Sequence, residues 1–286
     1  MMTNILIISF ISLFNIILII YFSRIKFFHL NIDKPDNIRK IHKKPVALAG
    51  GTLIILNMLI FWLLINFHSE LLENEILFNN KNSFNSFILI SFSIFLLGFF
   101  DDKLNISANK KFLVSTIIIL ILIYVDPEIL LNNIKFSFYE KNFILNNYKV
   151  FFSVFCFLVF LNAFNMFDGI NLQSSSYSIF IFLCILIFFI NTLLIKILLI
   201  SLISFSYLNY KNKAFLGDSG SLLIAFIISY VFIKLYNLGF INYTDKVVIY
   251  MLIPGLDLMR LFMIRILKKR NPLSPDKLHL HHILIS

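Results

Sequence analysis

Asp101 and Asp102 stand side by side in Gly98-Phe99-Phe100-Asp101-Asp102, at the end of an apolar run, where ionisable side chains are costly enough to mark a functional site. Neighbouring helical residues do not face each other, so two carboxylates sharing one site imply a helix end or a turn. Beside an anionic ligand they need a cation or a proton; without a ligand they simply end the helix at the interface. Nine residues on, Lys111 returns a positive charge, toward a ligand or as a snorkelling lysine. Asn162, Asn165, Asp168 and Asn171 recur at a spacing of three beside Gly169. That winding stripe of side-chain oxygens next to a helix break suits a hard cation or the polar edges of a nucleotide, the alternative being interhelical glue. In Lys213-Ala214-Phe215-Leu216-Gly217-Asp218-Ser219-Gly220-Ser221, Gly and Ser at a loop-to-helix junction offer free N–H groups to an anion. Asp218 would repel that anion unless it holds Mg²⁺ bridging to phosphate oxygens; a plain capping turn is the other reading.

Two basic segments flank these motifs. Arg39-Lys40-Ile41-His42-Lys43-Lys44-Pro45 runs into Gly50-Gly51, where paired glycines let a ligand or another backbone approach closely. Asp257, Arg260 and Arg265 lie on the last apolar run, bent at Pro254, before Lys268-Lys269-Arg270 and Asp276-Lys277-Leu278-His279-Leu280-His281-His282. Three histidines within four residues suit zinc, but no cysteine lies nearby and the surrounding bases suit phosphate.

The elements that must position these groups are membrane helices. Of 286 residues, 59% are hydrophobic, 35 are Phe and only 14% are charged, which excludes a soluble enzyme and an intrinsically disordered chain. Two cysteines in apolar runs, Cys156 and Cys184, give no disulfide scaffold. Nine apolar spans are expected: 4–22, 46–67, 84–100, 112–131, 150–166, 177–194, 195–210, 216–233 and 247–267. The first lacks a basic n-region and a small-residue cleavage site, so it reads as a retained span. With this count, 18 of the 25 lysines and arginines fall on one side, which makes that side cytoplasmic and the N-terminus external. All five motif clusters fall on the basic side. The net charge of +10 then reports topology and anionic headgroups rather than nucleic acid. The expected fold class is an all-α polytopic membrane protein of about nine helices with cytoplasmic active-site loops, residues 1–286 forming one domain.

Taken in order, RKIHKKPVALAGG, GFFDD, NAFNMFDGIN, KAFLGDSGS and NPLSPDKLHLHH resemble the polyprenyl-phosphate N-acetylhexosamine-1-phosphate transferases, the WecA/MraY-like glycosyltransferase family 4, over nearly the whole chain. The HxHH form of the tail and the short loops are closer to the WecA branch. The resemblance implies transfer of a sugar-1-phosphate from a UDP-N-acetylhexosamine to undecaprenyl phosphate with release of UMP. It places the enzyme in the bacterial inner membrane at the first step of a surface polysaccharide such as O-antigen, with Mg²⁺ or Mn²⁺ as cofactor. It implies Asn165 and Asp218 as metal ligands and Asp101, Asp102 and Asp168 as catalytic acids. Lys111 matches a pyrophosphate contact, and Asn171 and Phe215 match positions that bind uracil. The His279, His281 and His282 tail matches the sugar and phosphate recognition loop, and Arg39, His42, Gly50 and Gly51 are further substrate-binding candidates. A homodimer is allowed, and membrane lipids are the remaining partners.

Two features depart from the family pattern. Asn171 is followed by Leu172-Gln173-Ser174 in place of Gly-Leu, and the chain is expected to lack the family's last helix after the histidine motif. The competing readings are a MraY-type transferase using UDP-MurNAc-pentapeptide, an inactive relic, and a transporter, whose charged sites would lie near the midplane.

Overall fold

The computed structural model describes residues 2–35, 44–73 and 75–267. Lipid offers the backbone no hydrogen bonds, so the apolar runs close their own as helices. These are α1 (Met2–Ile20), α2 (Gly50–Phe67), the single turn α3 (Glu70–Glu73), α4 (Lys81–Leu104), α5 (Ala108–Val125), α6 (Lys149–Phe167), α7 (Gln173–Phe188), α8 (Leu193–Tyr210), α9 (Gly217–Asn237), α10 (Thr244–Tyr250) and α11 (Leu252–Leu267). Short strands β1 (Ile32–Asp33), β2 (Val46–Leu48), β3 (Asn133–Phe136), β4 (Tyr139–Ile144) and β5 (Ala214–Phe215) lie in the loops.

Among the described residues, seven helices are long and apolar enough to cross a membrane, or eight if the bent pair α10 and α11 is one span. The protein is therefore a multi-pass membrane protein. The remaining expected span, the sixth (177–194), is α7, whose 16 residues rise about 24 Å, short of the hydrocarbon thickness. The break in the last span falls at Met251, with a bend of 75°. Pro254 lacks the N–H that would reach the Tyr250 carbonyl, and the Tyr177 hydroxyl donates to that carbonyl instead.

α9 is the axis of the bundle. Some 94% of its apolar window is buried, against 17% for α1 and 22% for α5, whose Ile, Leu and Phe side chains face outward. A ladder of rings runs from Phe157 through Phe226 and Phe87 to Tyr230 and Phe78, locking α6, α4 and α9 together. α1 is tied to α2 by reciprocal amide bonds, Asn15 Nδ2 to Asn57 Oδ1 at 2.7 Å and Asn57 Nδ2 to Asn15 Oδ1 at 3.1 Å.

The two ends of the bundle are built differently. At one end β3 and β4 form an antiparallel hairpin, and the buried carboxylate of Glu75 accepts from the Leu193 and Leu194 N–H groups (2.7 and 3.3 Å) that open α8. At the other end β1, β2 and β5 make a small sheet in which β2 and β5 run parallel, Leu48 opposite Phe215.

Close backbone contact fixes this second end. A Cβ on Gly51 would lie 2.6 Å from the Gly220 nitrogen, one on Gly50 2.8 Å from the Leu216 Cα, and one on Gly98 2.5 Å from the Asp218 carbonyl oxygen. The first turn of α9 is thus wedged between α2 and α4. This corrects the expectation that Gly50 and Gly51 contact substrate: both are buried, and the room left by their missing side chains is filled by α9 and Leu216.

Candidate active site

α4 ends two residues after Asp102, and the neighbouring carboxylates diverge there as adjacent helical positions must. Asp101, 5% exposed, turns toward α5: its Oδ1 accepts from the Ile106 N–H at 2.8 Å and its Oδ2 pairs with the Lys111 ammonium. Asp102 turns toward α9. Its Oδ1 accepts from the Asp218 N–H at 2.8 Å and its Oδ2 from the Ser219 N–H at 3.1 Å. Those are orphan N–H groups of the α9 N-terminus, where a negative charge is favoured. Gly217, at φ +73°, brings its Cα against the Asp102 carboxylate, with room for no side chain there.

Lys111 joins the two arms. Its Nζ lies 2.9 Å from the Asp218 Oδ2 while also pairing with Asp101, and its side chain is only 17% exposed. It is the cation paired with these acids, not a lone snorkelling lysine. The Asp218 side chain, 36% exposed, is more open than those of Asp101 and Lys111, and Asn165 on α6 lies near it. The Ser221 hydroxyl donates to Asn165 Oδ1 at 2.5 Å and holds that amide in place.

Asp168 follows the last turn of α6, half-buried, with Ser174 nearby. Burial pushes its carboxyl up to about 7, and the charge of Asp218 adds to that. Asn171 and Phe215 come to the same end on neighbouring loops, Phe215 in β5 and Asn171 bonded to Asn212. Asp257, buried on α11, forms an ion pair with Arg260 at 2.8 Å.

The structure thus gathers Asp101, Asp102, Lys111, Asn165, Asp168, Asn171, Phe215 and Asp218 at one end of the bundle. Arg39, His42, His279, His281 and His282 lie outside the described residues. Asn209, at the end of α8, belongs to the site without having been expected there; a lone amide closing the apolar stretch Ile200–Tyr210 was its one mark in the sequence.

Four carboxylates around one paired lysine leave an excess of negative charge that an oxygen-seeking cation would offset. Such a site, where helix ends meet at one face of a multi-pass bundle, is that of an enzyme acting on charged groups at a membrane surface. Residues 84–236, more than half of the chain, match the model of glycosyl transferase family 4, and the chain belongs to that family. It is similar to the undecaprenyl-phosphate alpha-N-acetylglucosaminyl 1-phosphate transferase of Thermotoga maritima, 29% identical over 255 residues, which are 88% of this chain and 72% of the relative. The Bacillus subtilis protein described as a probable undecaprenyl-phosphate N-acetylglucosaminyl 1-phosphate transferase is 26% identical over 268 residues, 89% of this chain and 70% of that one. The Escherichia coli K12 undecaprenyl-phosphate alpha-N-acetylglucosaminyl 1-phosphate transferase is 23% identical over 269 residues, 89% and 69% respectively.

Proposed function

We propose that this protein transfers N-acetylhexosamine 1-phosphate, with N-acetylglucosamine the first donor to test, from a UDP-sugar to undecaprenyl phosphate. A phosphate oxygen of the lipid attacks the sugar-bearing phosphorus, the bond to the other phosphate breaks, and UMP leaves with those electrons. The site would face the cytoplasm of a bacterial inner membrane and start a lipid-linked surface polysaccharide. The observation that carries this reading is Asp218, bonded through its own N–H to Asp102 and through its carboxylate to Lys111, with its side chain partly exposed in an acid-rich cluster. The names of the relatives supply the substrates.

Phosphoryl transfer asks the protein for position and charge neutralisation more than for covalent chemistry. Asp102 holds the first turn of α9, and Lys111 orients the Asp218 carboxylate and is the group to meet a phosphate. Asp101, in contact with Lys111, keeps that ammonium in place. Asp168, raised to about 7 by burial, takes or returns a proton near neutral pH.

The donor types suit Mg²⁺ or Mn²⁺: Asp218 offers a carboxylate, and Asn165 beside it an amide oxygen that here accepts from Ser221 and would have to turn to the ion. Among the described residues no three His, Cys, Asp or Glu side chains form a cage. When bound, the ion would neutralise the charge developing on the transferred and leaving phosphates.

The test is UMP release by detergent-solubilised protein given Mg²⁺, undecaprenyl phosphate and a panel of UDP-N-acetylhexosamines, with UDP-MurNAc-pentapeptide in competition. Release is expected with at least one hexosamine donor, lost in EDTA, restored by Mg²⁺ or Mn²⁺, and abolished in Asp218→Ala. No UMP from any donor, or solute uptake into proteoliposomes without UMP release, would overturn the reading.

A further inference from the structure

The β3–β4 hairpin, at the end of the bundle away from the candidate active site, gathers aromatic rings on one face. Cross-strand partners set that face, with Ile134 opposite Phe143 and Phe136 opposite Tyr139. The ring centroids of Phe136 and Phe143 are 6.0 Å apart and those of Tyr139 and Phe143 5.2 Å apart. Phe138, in the turn, joins them 5.2 Å from Phe136. Phe138, Tyr139 and Phe143 are all exposed, Phe138 to 80%.

Polar bonds hold the hairpin to the bundle and fix the direction of that face. The Lys135 N–H donates to the Tyr236 hydroxyl at 3.0 Å and to Thr244 Oγ1 at 3.3 Å. The Asp245 carboxylate accepts from the Ser137 N–H at 2.8 Å and from its hydroxyl at 2.7 Å. The rings therefore keep one orientation relative to α9 and α10.

Three surroundings are open to the rings: water, hydrocarbon and the headgroup layer between them. Water is the poorest, since a two-stranded hairpin alone is at best marginally stable there and a contiguous exposed apolar patch marks a contact surface. Hydrocarbon fails for another reason. Among the described residues β4 pairs with β3 alone, so its outer edge carries N–H and C=O groups that the acyl region cannot satisfy. The headgroup layer meets both demands, because rings rest on the acyl boundary there while water reaches the strand edge. The place of the hairpin agrees. It is bonded to the first turn of α10 and runs through residues 145–148 into α6. Val248 and Ile249 on α10 and Phe151 and Phe155 on α6 are exposed on the outside of the bundle, where its surroundings are lipid. The ringed face thus continues an apolar surface that the membrane already covers.

We propose that the β3–β4 hairpin is an interfacial anchor, which lays Phe136, Phe138, Tyr139 and Phe143 into the headgroup layer of the membrane that holds the bundle. The proposal is independent of the transferase reading.

The chain has one tryptophan, Trp62 on α2, so a single fluorescent probe can be moved to the hairpin. The test uses full-length Trp62→Phe/Phe138→Trp and Trp62→Phe/Tyr139→Trp in phosphatidylcholine vesicles, with Trp62→Phe alone as the blank. Both added rings replace exposed rings, and each position serves if the other variant fails to fold. Lipids brominated near the glycerol end of the acyl chain are expected to quench the introduced tryptophan at least about twofold more than lipids brominated near the methyl end, as a shallow depth requires. Its emission should be shifted to the blue of free tryptophan in water. No quenching by either lipid, with emission at the position of free tryptophan, would overturn the proposal and leave the hairpin in water. Stronger quenching by the deep bromines would overturn it in favour of the hydrocarbon. Quenching that vanishes as the protein-to-lipid ratio rises, with disulfide cross-linking of Phe138→Cys in a Cys156→Ser/Cys184→Ser background, would assign the face to a second copy of the chain instead.

Discussion

α4 and α9 cross the bundle side by side, and at each end of the pair acids gather around a lysine, yet the two ends do opposite things. At the hairpin end Lys234, 1% exposed, lies 3.3 Å from Asp126 and 2.6 Å from Glu128. Asp126 also accepts from the hydroxyls of Ser83 at 2.9 Å and Tyr230 at 3.1 Å. Asp126 is thus surrounded by donors on α4 and α9, while Glu128 keeps an exposed side chain. At the other end Lys111 meets Asp101 and Asp218, with Asp102 and Asp168 close by and Asp218 open to approach. Burial and a lysine are common to both ends; what separates them is how much acid gathers there, two carboxylates at the hairpin end and four at the other.

Substitutions at the two ends should therefore separate activity from stability. The largest effect is expected from Asp218→Asn, which keeps the shape of the side chain and removes its charge: UMP release should fall at least about a hundredfold while the melting temperature barely moves. Gly51→Val should come next. It forces the first turn of α9 away from α2, and displacement of a catalytic group by about 1 Å is enough to cost roughly a hundredfold in kcat.

At the hairpin end, Lys234→Met leaves Asp126 buried without its cation and should cost about 3–5 kcal/mol of stability in detergent unfolding, with turnover per folded molecule retained. The double variant Lys234→Met/Asp126→Leu should recover most of that loss. Loss of turnover in folded Lys234→Met protein would break the contrast between the two ends.

The smallest effect concerns Glu75. Burial raises its carboxyl to about 7, against the pull of the Leu193 and Leu194 N–H groups and of Lys196. The folded protein holds that proton more tightly than the unfolded chain, so the contribution of Glu75 to stability is full below about pH 4.5 and is lost as pH rises to about 7. Glu75→Gln should flatten the stability profile across that window and leave it unchanged elsewhere.

The apolar spans were legible because their run lengths alone decide that they are helices in lipid. Asp101, Asp102, Asn165, Asp168 and Asp218 were legible as a group because ionisable and amide side chains stand out against apolar sequence and because basic loops gave them a common side. Less legible was the last span. Pro254 announced a bend, but its place at Met251 depends on Tyr177, 77 positions earlier, taking the carbonyl that Pro254 leaves without a partner. Gly50 and Gly51 advertised close approach without saying of what, and α9 proved to be the partner.

By itself, then, the sequence determined the class of solvent and which polar residues had to share one face, since each follows from the cost of moving a side chain or a peptide group into hydrocarbon. The tertiary structure alone decided that Asp102 serves the backbone of α9 while Asp101 serves Lys111, and that Lys234 meets Asp126 and Glu128 at one end of α9 while Asp218 meets Lys111 at the other. It also decided that Asn209 binds two loops together. Those assignments are set by hydrogen bonds over a few ångströms between residues often more than a hundred positions apart, and no local pattern in the chain encodes such distances.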